Sequence, residues 1–178
     1  MREGKICRYL ICGASGQTGV LSADRGERSA VTNDTAFRII QLAGKGYSCS
    51  QILILLALEA RGEQNPPLVR AAAGLAYGCG AGAGTCGVLT GGSCVLALFA
   101  GKGSDEEKES EKLMIMLEEL SDWFSERVGG QYGGTDCKTI TGEEGPAAAR
   151  QRCGIILVET HAKVMEILIS TGFDPSNL

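Results

Sequence analysis

Apolar residues recur along most of this chain at helical spacing, and no window alternates strictly enough to read as a strand. The pattern begins near Asp34, where Phe37, Ile39, Ile40 and Leu42 form a stripe that stops at Gly44-Lys45-Gly46. Ser48 and Gln51 have the spacing of a capping box, which predicts a second helix with an apolar body over 52–58, ended by Arg61-Gly62. Asn65-Pro66-Pro67 predicts a third helix, with proline in its first turn, running to about Tyr77. A fourth is expected from Thr85 or Cys86 to about Ala100. Ser104 is a candidate cap for a fifth, reaching about Val128 and facing inward through Met114, Leu117, Leu120, Phe124 and Val128. Thr135-Asp136-Cys137-Lys138 opens a short helical piece. Pro146 opens a last long helix to about Thr171, with Ile155, Val158, Ala162, Met165 and Ile169 inward.

These elements give an all-α fold, a compact bundle of five or six helices with a Gly/Cys-rich loop between the third and fourth. Residues 1–31 read as a loosely ordered N-terminal extension, and residues 32–178 as one helical, cysteine-rich domain. A length of 178 residues is enough for one domain with its own core. The net charge of −4 and the lack of a basic patch with interleaved aromatics argue against a nucleic-acid face. No apolar signal-peptide run follows Met1, so a cytoplasmic location is expected. Residues 71–101 carry no charge, but nine glycines break that stretch, so no membrane span is expected.

Cysteine changes the picture. There are eight, and three of them, Cys79, Cys86 and Cys94, sit in the uncharged run 78–94 among seven glycines. In a reducing compartment such thiols bind metals or do redox work more often than they form structural disulfides. Cys49, Cys86 and Cys137 each follow a capping residue, so each is expected at a helix start, where free N–H groups and the dipole favour a thiolate. Cys86 and Cys94 lie eight residues apart on one helix, about 12 Å along its axis, too far to share a compact centre. His161 stands at the same spacing from Cys153 and reads as a surface or core-edge histidine. Cys79 can fold back through its flexible loop and is a possible auxiliary thiol. Gly87 and Gly91 share one helix face and leave a groove for a neighbour. Two glycine patterns suggest phosphate loops, 13–19 and 82–87. The first is followed by a segment too polar to be the required helix, and no strand precedes the second.

Cys86-Gly87-Val88-Leu89-Thr90-Gly91, with Cys49 upstream and Cys137 and Cys153 downstream, resembles the bacterial C_GCAxxG_C_C family of redox-active proteins. Val88 stands where the family motif has alanine. Tyr47-Ser48-Cys49-Ser50-Gln51 and Thr135-Asp136-Cys137 fit as well, and the resemblance covers roughly residues 34–170. It implies a small helical domain whose four motif cysteines, Cys49, Cys86, Cys137 and Cys153, hold a redox centre, with an iron–sulfur cluster favoured and an oxidoreductase or other redox protein as partner. Their spacings of 37, 51 and 16 residues mean that such ligands must converge through tertiary structure. A metal-free thiol–disulfide protein and a structural zinc site are the alternatives, the latter weakened by the absence of closely paired cysteines. A redox carrier or accessory is favoured over a stand-alone enzyme. The acidic run around Glu106–Glu119 reads as a solvated helix face able to steer a basic partner. The oligomeric state stays open, a homo-oligomer included.

Overall fold

A computed structural model describes residues 23–176. Among them the fold is all-α, with seven helices and no strand. These are α1 (Ala23–Gly44), α2 (Cys49–Ala60), α3 (Pro66–Ala72), α4 (Gly87–Ala100), α5 (Leu113–Phe124), α6 (Cys137–Thr141) and α7 (Arg150–Ser170). The first helix is longer than its apolar stripe: α1 begins at Ala23 rather than near Asp34. Cys7, Cys12 and the glycine pattern at 13–19 lie outside the described residues.

Helix starts follow their local signals. The Ser48 N–H donates to Gln51 Oε1 at 3.0 Å, Asn65 Oδ1 accepts from the Leu68 N–H at 3.1 Å, and Asp136 Oδ1 accepts from the Thr139 N–H at 2.8 Å. Other boundaries shift for physical reasons. α3 ends at Ala72, followed by a 3₁₀ turn and a left-handed turn, so it does not reach Tyr77. The fifth expected helix starts at Leu113, not near Ser104. Like charges four apart in its expected first turns (Asp105 and Glu109, Glu107 and Glu111) repel on a helix. Instead Glu107 accepts from the Gly103 N–H, and the Ser110 N–H donates to the Ala100 carbonyl. Beyond Phe124 the chain continues through one widened π-turn, Ser125–Gly129. The last helix starts at Arg150, because the turn opened by Gly145–Ala148 breaks at Ala149.

Helix α4 is the hub, packed on α2 along one side and on α5 and α7 along the other. One of its contacts excludes any side chain, and a second leaves little room for one. A Cβ at Gly91 would lie 2.8 Å from Ser50 Cα, and one at Gly92 would lie 3.2 Å from both Leu120 and Val164. Leu53, Ile54, Leu96, Met116, Leu120, Phe124, Ile167 and Leu168 fill the core, each buried side chain contributing about 1.5–3 kcal/mol of apolar transfer energy. Three inward faces differ from expectation. On α1, Ile39 and Leu42 are buried while Phe37 and Ile40 are exposed. On α5 the buried row is Leu113, Met116, Leu120 and Phe124, leaving Met114 in solvent. On α7 it is Ile156, Leu157, Thr160, Val164, Ile167 and Leu168, while Ile155 and Ile169 are exposed. These helices carry apolar residues on more than one side, so periodicity reveals the helix without selecting its buried face. No helix among the described residues is long and apolar enough to cross a membrane.

Candidate thiol centre

Cys49 is the first residue of α2, Cys86 caps α4, Cys137 is the first residue of α6, and Cys153 lies in the first turn of α7. The N-terminal ends of these four helices meet at one cavity of about 800 Å³ that all four cysteines line. Each thiol lies close enough to the other three for a charge on one to raise its neighbours.

Two backbone devices make this possible. The first joins the loops before Cys86 and Cys137. Thr85 and Asp136 form an isolated antiparallel bridge. The Cys86 N–H donates to the Thr135 carbonyl at 2.9 Å, the Cys137 N–H to Gly84 at 3.1 Å, and the Lys138 N–H to Gly82 at 2.8 Å. The glycine run is thus half of a small ladder that sets two cysteines side by side. The second device is Gly87, where a Cβ would lie 2.6 Å from Cys49 Sγ and 3.0 Å from the Leu75 carbonyl oxygen. The glycine after Cys86 therefore lets the sulfur of Cys49 come in. Arg152 ties the remaining corner, donating from Nη1 to the Ile140 carbonyl at 2.7 Å and stacking over the Tyr132 ring.

The electrostatics correct one expectation. Helix starts favour thiolates, yet all four thiols are held above their ordinary range, with burial the largest cause. Cys86 is pushed up to about 12, by burial first and then by the neighbouring sulfurs, against a lowering hydrogen bond from the Val88 backbone. Burial and the neighbouring sulfurs push Cys153 up to about 11, partly offset by the Arg152 charge. Backbone N–H groups, that of Tyr77 foremost, pull Cys49 down without overcoming burial. Desolvation outweighs the helix ends because Ile39, Ile52, Val88, Ile140 and Leu157 line the same cavity and keep water from the charge.

The other candidates are placed elsewhere. Cys79 is exposed and does not line the cavity, and Cys94 lies two turns along α4, half-buried and also outside it. His161 is half-buried away from the cavity, and its pKa is lowered by burial. Among the described residues, no three or more His, Cys, Asp or Glu side chains are grouped to hold a single metal ion. Neither Tyr77 nor Arg152 is among the candidate site residues that the sequence pattern gives. Arg152 is legible as a cation beside a cysteine, whereas nothing local marks Tyr77.

A family profile described as "Putative redox-active protein (C_GCAxxG_C_C)" matches residues 47–167. The chain belongs to the C_GCAxxG_C_C family. The match begins just before Cys49 and takes in all four cysteines of the cavity, while all of α1 precedes it. No curated protein and no solved structure is similar enough to match.

Proposed function

We propose that this member of the C_GCAxxG_C_C family is an electron-transfer or redox-accessory protein in which Cys49, Cys86, Cys137 and Cys153 hold an iron–sulfur cluster. The observation that carries this reading is the meeting of four thiols from four helix starts on one cavity. The donor set suits the group: four thiolates complete a [2Fe–2S] or [4Fe–4S] site. When bound, the cluster supplies one-electron transfer. The chain's own residues then act as ligands and surroundings. Backbone N–H groups of Tyr77 and Ser50 pull the Cys49 pKa down, and that of Val88 the Cys86 pKa, so each would help stabilise negative charge on its sulfur. The apolar wall limits water, which shifts the potential further. Loading must release thiol protons, since burial favours the protonated form of all four.

The same burial weighs against metal-free thiol exchange, which needs a thiolate that a partner can reach. A single tetrahedral zinc, with zinc–sulfur bonds of about 2.3 Å, needs its four sulfurs closer together than a multi-iron cluster does. The acidic segment 105–119 would steer a basic redox protein in the cytoplasm to this carrier.

Anaerobic purification and reconstitution with iron and sulfide test the proposal. The expected result is bound iron and acid-labile sulfide, with visible absorption that bleaches on reduction. Serine at any of the four positions should reduce iron content strongly, and Cys94→Ser should not. Protein that stays colourless and iron-free after reconstitution would overturn the reading. Reversible loss of two hydrogens per oxidation event in that iron-free protein would favour a dithiol instead.

A further inference from the structure

The turn between α3 and α4 has the opposite hand to the helices around it. Tyr77, Gly78, Cys79 and Gly80 have φ of 56°, 62°, 57° and 83°. The Gly80 N–H closes the turn on the Ala76 carbonyl at 3.0 Å. Glycine enters this region freely, whereas an L side chain there crowds its own backbone, and two of the four residues are not glycine. Their surroundings hold the turn in place. A Cβ at Gly78 would lie 2.7 Å from the Gly84 carbonyl oxygen, and one at Gly87 would lie 3.1 Å from Ala76 Cα. The turn is therefore pressed between the glycine loop and the start of α4. Backbone strain of this kind persists where the surroundings over-determine it, and it collects at functional sites.

Tyr77 makes two contacts with the centre. Its backbone N–H is near enough to the Cys49 sulfur to pull that thiol's pKa down. The residue lines the cavity of the four cysteines while remaining 49% exposed, which puts Tyr77 at the mouth rather than in the core. Cys79 shares the left-handed backbone but lies outside the cavity, so the turn directs one of its two strained side chains to the thiols.

We infer that Tyr77 determines which molecules reach the thiols: its ring acts as a size filter at the cavity mouth, and the left-handed turn is the conformation that sets it there. Small reagents pass the ring and bulky ones do not. The filter belongs to the metal-free protein as much as to a loaded one, so it stands or falls apart from the iron–sulfur reading.

The test uses reduced, metal-free, full-length protein labelled with iodoacetamide or with a fluorescein maleimide, each cysteine being read separately by peptide mass spectrometry. In the wild type the exposed Cys79 should react with both reagents, and the cavity thiols should favour the small one. Comparing the two reagents at one thiol cancels its pKa. Tyr77→Gly and Tyr77→Ala should each raise maleimide labelling of the cavity thiols about tenfold, as local access opens, with little change for iodoacetamide. Tyr77→Phe should behave as wild type. Unchanged maleimide labelling in the glycine variant would overturn the filter, as would an equal rise at Cys94, which would signal general loosening. The backbone half has its own readout. Y77G should melt a few degrees above Y77A, the reverse of the usual order, because only glycine fits this φ without strain. A Y77A that melts as high as Y77G would overturn the left-handed assignment. Should Y77A fail to fold while Y77G folds, that order is met, and the glycine variant alone decides the filter.

Discussion

At its N-terminal end α4 meets α2 through backbone, with Gly87 against the sulfur of Cys49 and Gly91 against the Cα of Ser50. At its C-terminal end the same helix contributes Val95, Leu96 and Ala100 to an apolar core shared with Met116, Leu120, Phe124 and Ile167. The core end is held by contacts without preferred direction, so volume matters more than shape. At the thiol end Gly91 meets the Ser50 Cα, and Gly87 meets the Leu75 carbonyl oxygen as well as the Cys49 sulfur, so one added methyl group is too many. The core end supplies stability, and the thiol end spends some of it on bringing four buried thiols together.

Breaking the core end should produce the largest change in stability. Phe124→Ala should lower stability by about 3–5 kcal/mol, measured as a fall in the urea midpoint. Iron content per folded molecule after reconstitution should stay near the wild-type value. Leu96→Met should cost less than about 1.5 kcal/mol, because volume is conserved. Loss of iron binding in the folded Leu96→Met variant would remove the distinction between the two ends.

The glycine substitutions come next. Gly91→Ala should cost about 1–3 kcal/mol by overpacking the α2–α4 crossing. Gly87→Ala should cost a similar amount, since a Cβ there would lie 2.6 Å from Cys49 Sγ. It differs in its consequence: the folded fraction should also lose most of its iron. Equal iron retention in both variants would show that Gly87 serves packing alone.

A titration sharpens the contrast further. The raised thiol pKa values mean that the folded, metal-free protein holds its thiol protons more tightly than the unfolded chain does. That contribution is complete below the unfolded cysteine pKa of about 8.5 and is lost as pH rises toward the folded values of about 11 and about 12. The melting temperature should therefore fall across this alkaline window. Cys86→Ser should flatten the fall, and Cys94→Ser, outside the cavity, should flatten it less. The smallest effect is expected at Asn65→Ala, which removes the acceptor of the Leu68 N–H and should cost about 1 kcal/mol, with thiol labelling in the cavity unchanged.

Much of the site was legible because its cysteines mark themselves locally. Ser48 before Cys49 and Asp136 before Cys137 are capping residues, and both cysteines sit at helix starts. The spacing of Cys86 and Cys94 along one helix separated a cavity thiol from an outlying one. The ladder between residues 82–86 and 134–138 was not legible, because its hydrogen bonds join backbone groups some fifty positions apart and carry no side-chain signature. The left-handed turn at Tyr77 was hidden for a similar reason, being imposed by Gly84 and Gly87 pressing on it from outside.

By itself the sequence determined where most helices begin and that the fold is all-α, since caps and apolar periodicity are local properties, while the grouping of Cys49, Cys86, Cys137 and Cys153 came from the resemblance to the family. Tertiary structure alone decided which sides of α1, α5 and α7 turn inward, how the glycine loop finds its partner, and that the thiols are held protonated. Burial and mutual proximity depend on residues from distant parts of the chain arriving at one place, and no short stretch contains that information.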